Sequence, residues 1–398
     1  MKHNSPDKRT RRAGARALWA VTIAVFGLVA PGSAREPGDG PKTPAASGIS
    51  NALASATISA ETVASALVVS RLAAINVTNG PVTAAQAAEW RQRLKRLTEK
   101  GAAAVPAIRD FLAKNVDLNF EPAGNEALLG AASLRLALLG VVEKIGGPEA
   151  VALSAQTLQT TADPAELATL IRFLDRVETG KHRVGALVAA RETLALAASG
   201  RWDGREVAPL FEILKKYGGA WAAGELEKYA NTWFDYTPIA LAQLPDAAGV
   251  PTLIRLAKNA DGRLTLGHDV YQRVLAQVAV ANTNAAEALV EQTRQNRIEV
   301  NAWPAVGAVL AGNSLHLAKP LLDPPSPLAA QPDTRRYHVA VGHQNFIETT
   351  PHDSLAPADI GVRIRLVDRL LEATTNPAAI DALEGARISL AARLPAVK

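Results

Sequence analysis

Four short segments of this chain share one design, an apolar helix that begins with a proline. Counting from each proline, the preceding residue and the second and fifth following residues are apolar in all four copies. Proline suits the first helical turn because the amide it lacks would have no intrahelical partner there. The copies are Val105-Pro106-Ala107-Ile108, Ala208-Pro209-Leu210-Phe211, Val250-Pro251-Thr252-Leu253 and Trp303-Pro304-Ala305-Val306. The recurrence predicts stacked helical units, and it names no biochemical activity.

The spacing of these prolines is typical of a helical repeat. Pro209 and Pro251 lie 42 residues apart, and Pro251 and Pro304 lie 53 apart, near the roughly 40–47 residue period of HEAT units. The four segments resemble the HEAT-repeat class, whose units pair two antiparallel helices with a proline early in the first. The resemblance covers about residues 100–320. It implies an all-α, right-handed α-solenoid with a concave surface for partners, and it implies no catalytic residue.

Further helix signals continue along the chain. Thr83 with Gln86 and Asn284 with Glu287 have the spacing of capping boxes. The leucine-rich stretch from Asn125 to Ile145 predicts one long helix, which Gly146-Gly147 and Pro148 would end. We find no cleanly alternating strand pattern before residue 335, and Tyr337–Val341 fits either a brief strand or an ordered loop.

The first 34 residues have the order of an export signal. Basic residues between Lys2 and Arg16 precede an uncharged apolar run from Leu18 to Ala30, and Gly32-Ser33-Ala34 offers small side chains to a signal peptidase. The run is shorter than the ~20 residues that a membrane-spanning helix needs. We therefore expect cleavage after Ala34 and a periplasmic or secreted protein with no membrane span. The alternative is an uncleaved leader that anchors the chain to a membrane.

The leader accounts for the whole net charge of +5. It contains six of the 43 basic residues and one of the 38 acidic residues, so 37 of each sign remain after cleavage. A chain whose net charge is near zero produces no overall electrostatic field that would attract polyanions. The longest basic runs are pairs such as Lys215-Lys216. Nucleic acid is therefore not an expected partner.

Sulfur chemistry is excluded by composition. The chain has no cysteine, and its one methionine is Met1. Disulfides, thiolate metal sites and thiol nucleophiles cannot form. The sequence also lacks the nucleophile elbow, the zinc-protease helix, the phosphate loop and the dinucleotide fingerprint, so we expect no cofactor and favour a non-catalytic protein.

Composition divides the chain into five segments. Residues 35–48 are rich in Pro, Gly, Lys and Ser and predict a flexible linker, and consecutive prolines from Asp323 onward exclude helix there. The predicted segments are a signal peptide (1–34), the linker (35–48), a helical repeat body (49–322), an irregular Pro-rich segment (323–356) and a C-terminal helical pair (357–398).

An aromatic concentration is the first candidate site. Six aromatic residues fall between Tyr217 and Tyr236 in a chain with only 5% aromatic residues. Lys215, Lys216 and Lys228 would form a polar rim around them, as at a recognition hot spot. The competing interpretation is core packing, because apolar stripes on helices face the interior. The candidate partner-binding residues are Trp221, Tyr229, Trp233 and Tyr236.

A candidate metal site lies in the irregular segment. Imidazole and carboxylate groups are suitable metal ligands, and His338, His343, His352 and Asp353 collect within sixteen residues. The five-residue step from His338 to His343 places them together neither on a helix nor on one strand face. Surface or structural histidines are therefore the default interpretation, and we assign no metal.

The sequence thus favours an exported, non-catalytic helical-repeat protein that binds another protein or an envelope component along its concave surface. Two alternatives stay open. One is a metal-dependent or other enzyme with its site in residues 323–356, and the other is a structural envelope protein tethered by its leader.

The leader yields a direct prediction about the exported protein. We expect Edman sequencing or intact mass of the protein from an extracytoplasmic fraction to give Arg35 as the first residue, because the small residues before it fit a peptidase site. An intact Met1 on membrane-bound protein would instead support the tethered alternative.

Overall fold

The chain is described by a computed structural model that places residues 60–77, 80–121, 124–200, 206–317, 322, 335–339, 345–351 and 355–394. These residues belong to one compact unit, which spans Thr57–Lys398. The predicted signal peptide and linker lie outside the described residues. Within the described part, none of the helices is both long enough and apolar enough to cross a bilayer.

The described chain is predominantly helical, as the sequence predicts, and a small antiparallel sheet follows the fifteenth helix. Short 3-10 turns at Gly101–Ala104, Pro245–Ala247 and Val300–Ala302 join some of the helices. The helices are α1 (Ala60–Ala73), α2 (Ala84–Glu99), α3 (Val105–Leu112), α4 (Glu126–Leu129), α5 (Leu134–Ile145), α6 (Gly147–Leu158), α7 (Pro164–Val177), α8 (Arg183–Ala198), α9 (Ala208–Tyr217), α10 (Trp221–Glu227), α11 (Tyr236–Ala242), α12 (Val250–Lys258), α13 (His268–Ala279), α14 (Thr283–Arg294), α15 (Trp303–Leu310), α16 (Pro357–Glu372) and α17 (Pro377–Ala391).

Local sequence sets most helix ends. Thr83 and Gln86 form the predicted capping box at the start of α2. Each of the four repeated prolines lies in the first turn of its helix, in α3, α9, α12 and α15. The second predicted box, Asn284 with Glu287, is wrong, because Asn282 caps α14 by accepting a hydrogen bond from the amide of Ala285 at 3.0 Å.

The single long helix predicted from Asn125 to Ile145 is also wrong. The chain breaks after α4 at Gly130, whose left-handed φ of 79° ends that helix. Ser133 then caps α5 by accepting a hydrogen bond from the amide of Leu136. Glycine adopts this backbone conformation without a steric penalty, so the break costs little.

Contacts between helices follow the order of the chain. The odd-numbered helices form an unbroken series in which each packs on the next, from α1 to α17, and we call this series the odd row. Among the even-numbered helices, α2 packs on α4, α6 on α8, and α10, α12, α14 and α16 on one another in turn. Apolar burial is therefore made mainly between elements one or two positions apart.

The proline-led helices do not belong to one row. Prolines open α3, α7, α9, α15 and α17 in the odd row, and they also open α6, α12 and α16 among the even-numbered helices. In this chain a proline therefore marks where a helix begins and does not identify the first helix of a hairpin.

A three-stranded antiparallel sheet lies between α15 and α16 in chain order. Its strands are β1 (Asn313–Leu317), β2 (Arg335–Val339) and β3 (Asn345–Pro351), in the order β1-β3-β2. β2 overlaps Tyr337–Val341, which fits either a brief strand or a loop by sequence. β1 lies inside the segment predicted as a helical repeat body, and β3 lies in the segment predicted as irregular. Strands this short carry too little alternation for the pattern to identify them securely.

The sheet is attached to the helices through β1. This strand contacts α11, α13 and α15, and Leu315 and Leu317 are buried there. The side-chain amide of Gln277 accepts a hydrogen bond from the Leu315 amide at 2.6 Å and donates one to its carbonyl at 3.3 Å. A side-chain amide from α13 thus provides hydrogen-bond partners for the Leu315 N–H and C=O groups, on the edge of β1 that faces away from β3.

The last two helices close over α15. Arg363 of α16 donates hydrogen bonds to the carbonyls of Val309 and Leu310 at 2.9 and 3.0 Å, and Arg393 donates to that of Ala311 at 3.1 Å. These cations satisfy the carbonyls at the C-terminal end of α15, where the helix dipole favours positive charge.

A buried ion pair joins the first part of the odd row. Arg135 of α5 donates two hydrogen bonds to Glu166 of α7, at 2.6 and 3.0 Å, and a third to the carbonyl of Leu112 in α3 at 2.9 Å. Thr161 also donates to Glu166, at 2.7 Å. Burial opposes the charged guanidinium, but the hydrogen bond and charge of Glu166 raise the pKa of Arg135 above its ordinary value. Glu166 is the second residue after Pro164, a position that is apolar in the four repeated segments, and its ion pair with Arg135 accounts for the charge there.

Removing one charge of this pair should destabilise the protein. We expect Glu166→Gln to lower the free energy of unfolding by about 3 kcal/mol, because it leaves a buried guanidinium without a counter-ion. Urea denaturation measures the loss. The matched control is Glu287→Gln, which breaks the exposed pair with Arg369 and should cost less than about 1 kcal/mol. Equal losses in the two variants would contradict the role of the buried pair.

Candidate partner-binding site

The predicted aromatic residues divide between core and surface. Tyr229, Trp233 and Tyr236 are buried, whereas the side chain of Trp221 is 49% exposed. Three of the four candidate partner-binding residues therefore pack inside the protein. Trp221 differs because it shares the outward stripe of α10 with Gly224 and Lys228, three and seven residues further on.

The buried rings form one cluster around Phe211. The Phe211 ring centroid lies 5.9 Å from that of Trp233 and 5.4 Å from that of Tyr236, and Tyr229 lies 5.3 Å from Trp233. The planes are inclined by 53 to 74°, the geometry that aromatic pairs prefer over a parallel face-to-face sandwich. This cluster holds α9, α10 and α11 together and thereby fixes the position of Trp221.

Exposed apolar side chains lie on the neighbouring α8. Val184 and Val188 are 74% and 41% exposed, and their four-residue spacing places them on one face of the helix. Both α8 and α10 pack on α9. Arg191 of α8 lies close enough to Tyr229 for its charge to act on that phenol, although burial dominates and raises the pKa of Tyr229. We call the outward faces of α8 and α10 the α8–α10 surface.

Cations surround this surface. The Arg183 guanidinium lies 5.4 Å from the ring centroid of Tyr217, and the Lys216 ammonium lies 5.7 Å from the same ring. Arg183 also pairs with Asp175 at 3.2 Å, and Tyr217 donates a hydrogen bond to that carboxylate. Although burial opposes ionisation of Asp175, hydrogen bonds from Gly180 and Arg183 hold its pKa below its ordinary value. This network orients the rim residues at the start of α8.

The exposed charge on this surface is mostly positive. Among the described residues between 181 and 228, five exposed side chains are basic and one, Glu192, is acidic. The basic residues are Lys181, Arg183, Arg191, Lys216 and Lys228. Apolar side chains surrounded by cations form a surface that complements an apolar segment carrying acidic residues.

The candidate metal ligands are not assembled in the described residues. His338 lies in β2, where its backbone is opposite Phe346 of β3. His343, His352 and Asp353 lie outside the described residues. In the described part of the chain, no three His, Asp or Glu side chains are close enough together to bind a metal ion.

A buried carboxyl with two partly exposed acidic neighbours lies next to the aromatic core, and the sequence analysis did not identify it. Asp235, just before α11, is 4% exposed, and its Oδ1 has no hydrogen-bond partner among the described residues. Tyr236 donates a hydrogen bond to Glu206 at 2.7 Å. Burial, together with the charges of Asp269 and Glu206, raises the pKa of Asp235 to about 7. Only the tertiary structure brings residues 206, 235 and 269 together, so no local motif indicates the cluster.

Comparison with known proteins identifies no relative of this chain. The chain matches no protein-family model, and no curated protein or solved structure shows significant similarity to it.

The raised pKa of Asp235 predicts a pH-dependent stability. Below about pH 4 the carboxyl is protonated in both folded and unfolded protein, and between about pH 4 and 7 only the unfolded chain releases its proton. As the pH rises across that window, the free energy of unfolding should therefore fall by up to about 1.4 kcal/mol per pH unit, and above it the free energy should stay constant. We expect Asp235→Asn to lack this decrease, so its stability relative to wild type should rise from pH 4 to 7.

Urea denaturation of both proteins between pH 4.5 and 8 measures this difference. The exposed Asp381→Asn is the matched control, and its difference from wild type should not change with pH in the same way. A constant difference between wild type and Asp235→Asn at every pH would show that Asp235 titrates normally.

Proposed function

We propose that this chain is an exported helical-repeat protein of the α-solenoid kind that binds an acidic protein segment at the α8–α10 surface. The observation that carries the proposal is the exposed set Trp221, Val184 and Val188 within a basic rim. Solitary exposed apolar residues are common, but three large ones on two helices that pack on the same neighbour, with cations among them, suit an interaction site.

The order of helix contacts supports the solenoid architecture. In such a stack each unit touches mainly its neighbours, and the unbroken odd row has this property. The architecture presents many outward helix faces, so binding through the faces of two nearby helices is a natural use of it.

The residue types on the α8–α10 surface support a protein partner. Tryptophan and arginine are the side chains most enriched among residues that dominate binding energy, because they combine a large apolar area with a polar group. The side chain of Trp221 has only two rotatable bonds, so little conformational entropy is lost when a partner covers it. The surrounding cations speed the approach of an acidic partner. Export rests on the leader sequence.

Substitutions on this surface provide the test. We expect immobilised wild-type protein to capture its partner from an extracytoplasmic extract of the source organism, and Trp221→Ala and Val184→Asp each to reduce the captured amount at least tenfold. Ile388→Asp, at a 70% exposed position on α17, is the matched control and should capture as wild type does. Capture should decrease as sodium chloride is raised from 50 to 300 mM.

The same experiment has outcomes that contradict the proposal. Recovery of no protein under gentle conditions would argue against a binding function. A partner captured equally by wild type, Trp221→Ala and Val184→Asp would show that binding occurs elsewhere. Thermal unfolding of each variant verifies that a loss of capture does not come from a loss of fold.

A further inference from the structure

The first turn of α13 is held by contacts from three other parts of the chain. Gly267, just before the helix, lies so close to Phe234 that a Cβ atom added to the glycine would overlap with the phenylalanine ring. His268 contacts the backbone carbonyl of Ala257 in α12 and the carboxylate of Glu299. One helical turn thus connects the residues before α11, the end of α12 and the 3-10 turn before α15.

Both ring nitrogens of His268 face oxygen atoms that only accept hydrogen bonds. Nε2 lies 2.7 Å from the Ala257 carbonyl oxygen, and Nδ1 lies 3.1 Å from Oε1 of Glu299. A neutral imidazole has one N–H group, so one of these contacts would place a nitrogen lone pair against an oxygen, and only the imidazolium donates to both. The His268 side chain is 17% exposed, which leaves little room for water to replace either partner. Lys258, the residue after Ala257, is exposed to solvent.

The position of Glu299 is fixed from the same helix. The side-chain amide of Gln272, which is fully buried, accepts a hydrogen bond from the Glu299 backbone amide at 3.1 Å and donates one to the Arg297 carbonyl at 2.9 Å. The amide nitrogen of Gln272 lies 3.5 Å from Nε2 of His268, too far to replace the contact with Ala257. Glu299 is thereby held beside the imidazole. Because the helix dipole disfavours a cation at the start of α13, the imidazolium depends on this carboxylate.

A second proton lies next to the same turn. Asp235 directly follows Phe234, whose ring packs on Gly267, and its carboxyl is buried with Oδ1 unpartnered among the described residues. Burial and nearby negative charge raise the pKa of this carboxyl to about 7. The Phe234–Gly267 contact therefore links the position of Asp235 to that of His268.

Titratable side chains from three parts of the chain face Asp235. They are Glu206 before α9, Tyr236 of α11, and Asp269 and Tyr271 of α13. Burial raises the pKa of both tyrosines, so both stay neutral in the range where Asp235 titrates. Arg273 binds the Asp269 carboxylate. The two acidic side chains oppose a third negative charge at Asp235.

We propose that the first turn of α13 is a proton-controlled joint, which is closed while His268 is an imidazolium and Asp235 is protonated, and which loosens when these protons leave. Loss of the His268 proton leaves a lone pair facing an oxygen, and loss of the Asp235 proton adds a charge beside Glu206 and Asp269. The closed joint thus binds more protons than the loosened joint, so a rise in pH favours loosening. The proposal does not depend on the proposed binding function.

Hydrogen exchange followed by mass spectrometry at pH 5.5 and 8.0 tests the joint, with each rate divided by the intrinsic rate at the same pH. One proton released on opening changes the opening equilibrium up to about tenfold per pH unit. We expect protection of residues 264–275 in the wild type to fall at least tenfold more over this range than protection of α5, which makes no listed contact with α13. Equal decreases in the two segments would overturn the proposal.

Substitutions assign the effect to the two groups. We expect the double variant His268→Gln, Asp235→Asn to lose the additional decrease at residues 264–275, because neither new side chain titrates. The matched control is His182→Gln, which removes an imidazole that contacts a single carboxylate, that of Glu178, and should behave as wild type does. An unchanged decrease in the double variant would contradict the proposal.

The state of the His268 ring is measured directly by long-range ¹H–¹⁵N NMR of protein labelled with ¹⁵N-histidine, with the signals assigned by their absence from His268→Gln. We expect both ring nitrogens to be protonated at pH 5.5. A ring with one protonated nitrogen at that pH would overturn the proposal, and this measurement does not require the double variant to fold.

Discussion

A helix of four to sixteen residues cannot bury its apolar face alone, and the whole described structure is arranged around this constraint. Each odd-numbered helix between α1 and α17 packs on the one before and the one after it, and even-numbered helices provide further contacts. The core consists largely of Ala, Leu and Val, whose modest size allows helices to approach closely. Larger rings are used at particular junctions, as around Phe211, where short α10 and α11 meet α9.

Polar groups inside this stack join helices and provide hydrogen-bond partners. Arg135 and Glu166 join three helices of the odd row, and Gln277 satisfies one edge of the small sheet. Both arrangements pair every charge or edge group that they bury, which keeps the desolvation cost low. Asp235 differs from these groups, because its Oδ1 is buried without a hydrogen-bond partner among the described residues and burial raises the pKa of its carboxyl. The fold therefore contains a group whose ionisation near neutral pH opposes the folded state.

The α8–α10 surface that we propose for binding combines Trp221 and two valines with basic residues. This combination suits a partner that presents apolar and acidic side chains together.

The sequence by itself determined where most helices begin and end, because caps, prolines and glycines act through hydrogen bonds within a few residues. It predicted the capping box of α2, the proline-led first turns of α3, α9, α12 and α15, and the predominantly helical class with them. It did not determine which aromatic residues face solvent, since Trp233 is buried against Phe211 of α9 whereas half of the Trp221 side chain is exposed. The sheet and the Asp235 cluster were likewise decided by tertiary structure, because both depend on residues tens of positions apart, and local propensity carries no information about such encounters.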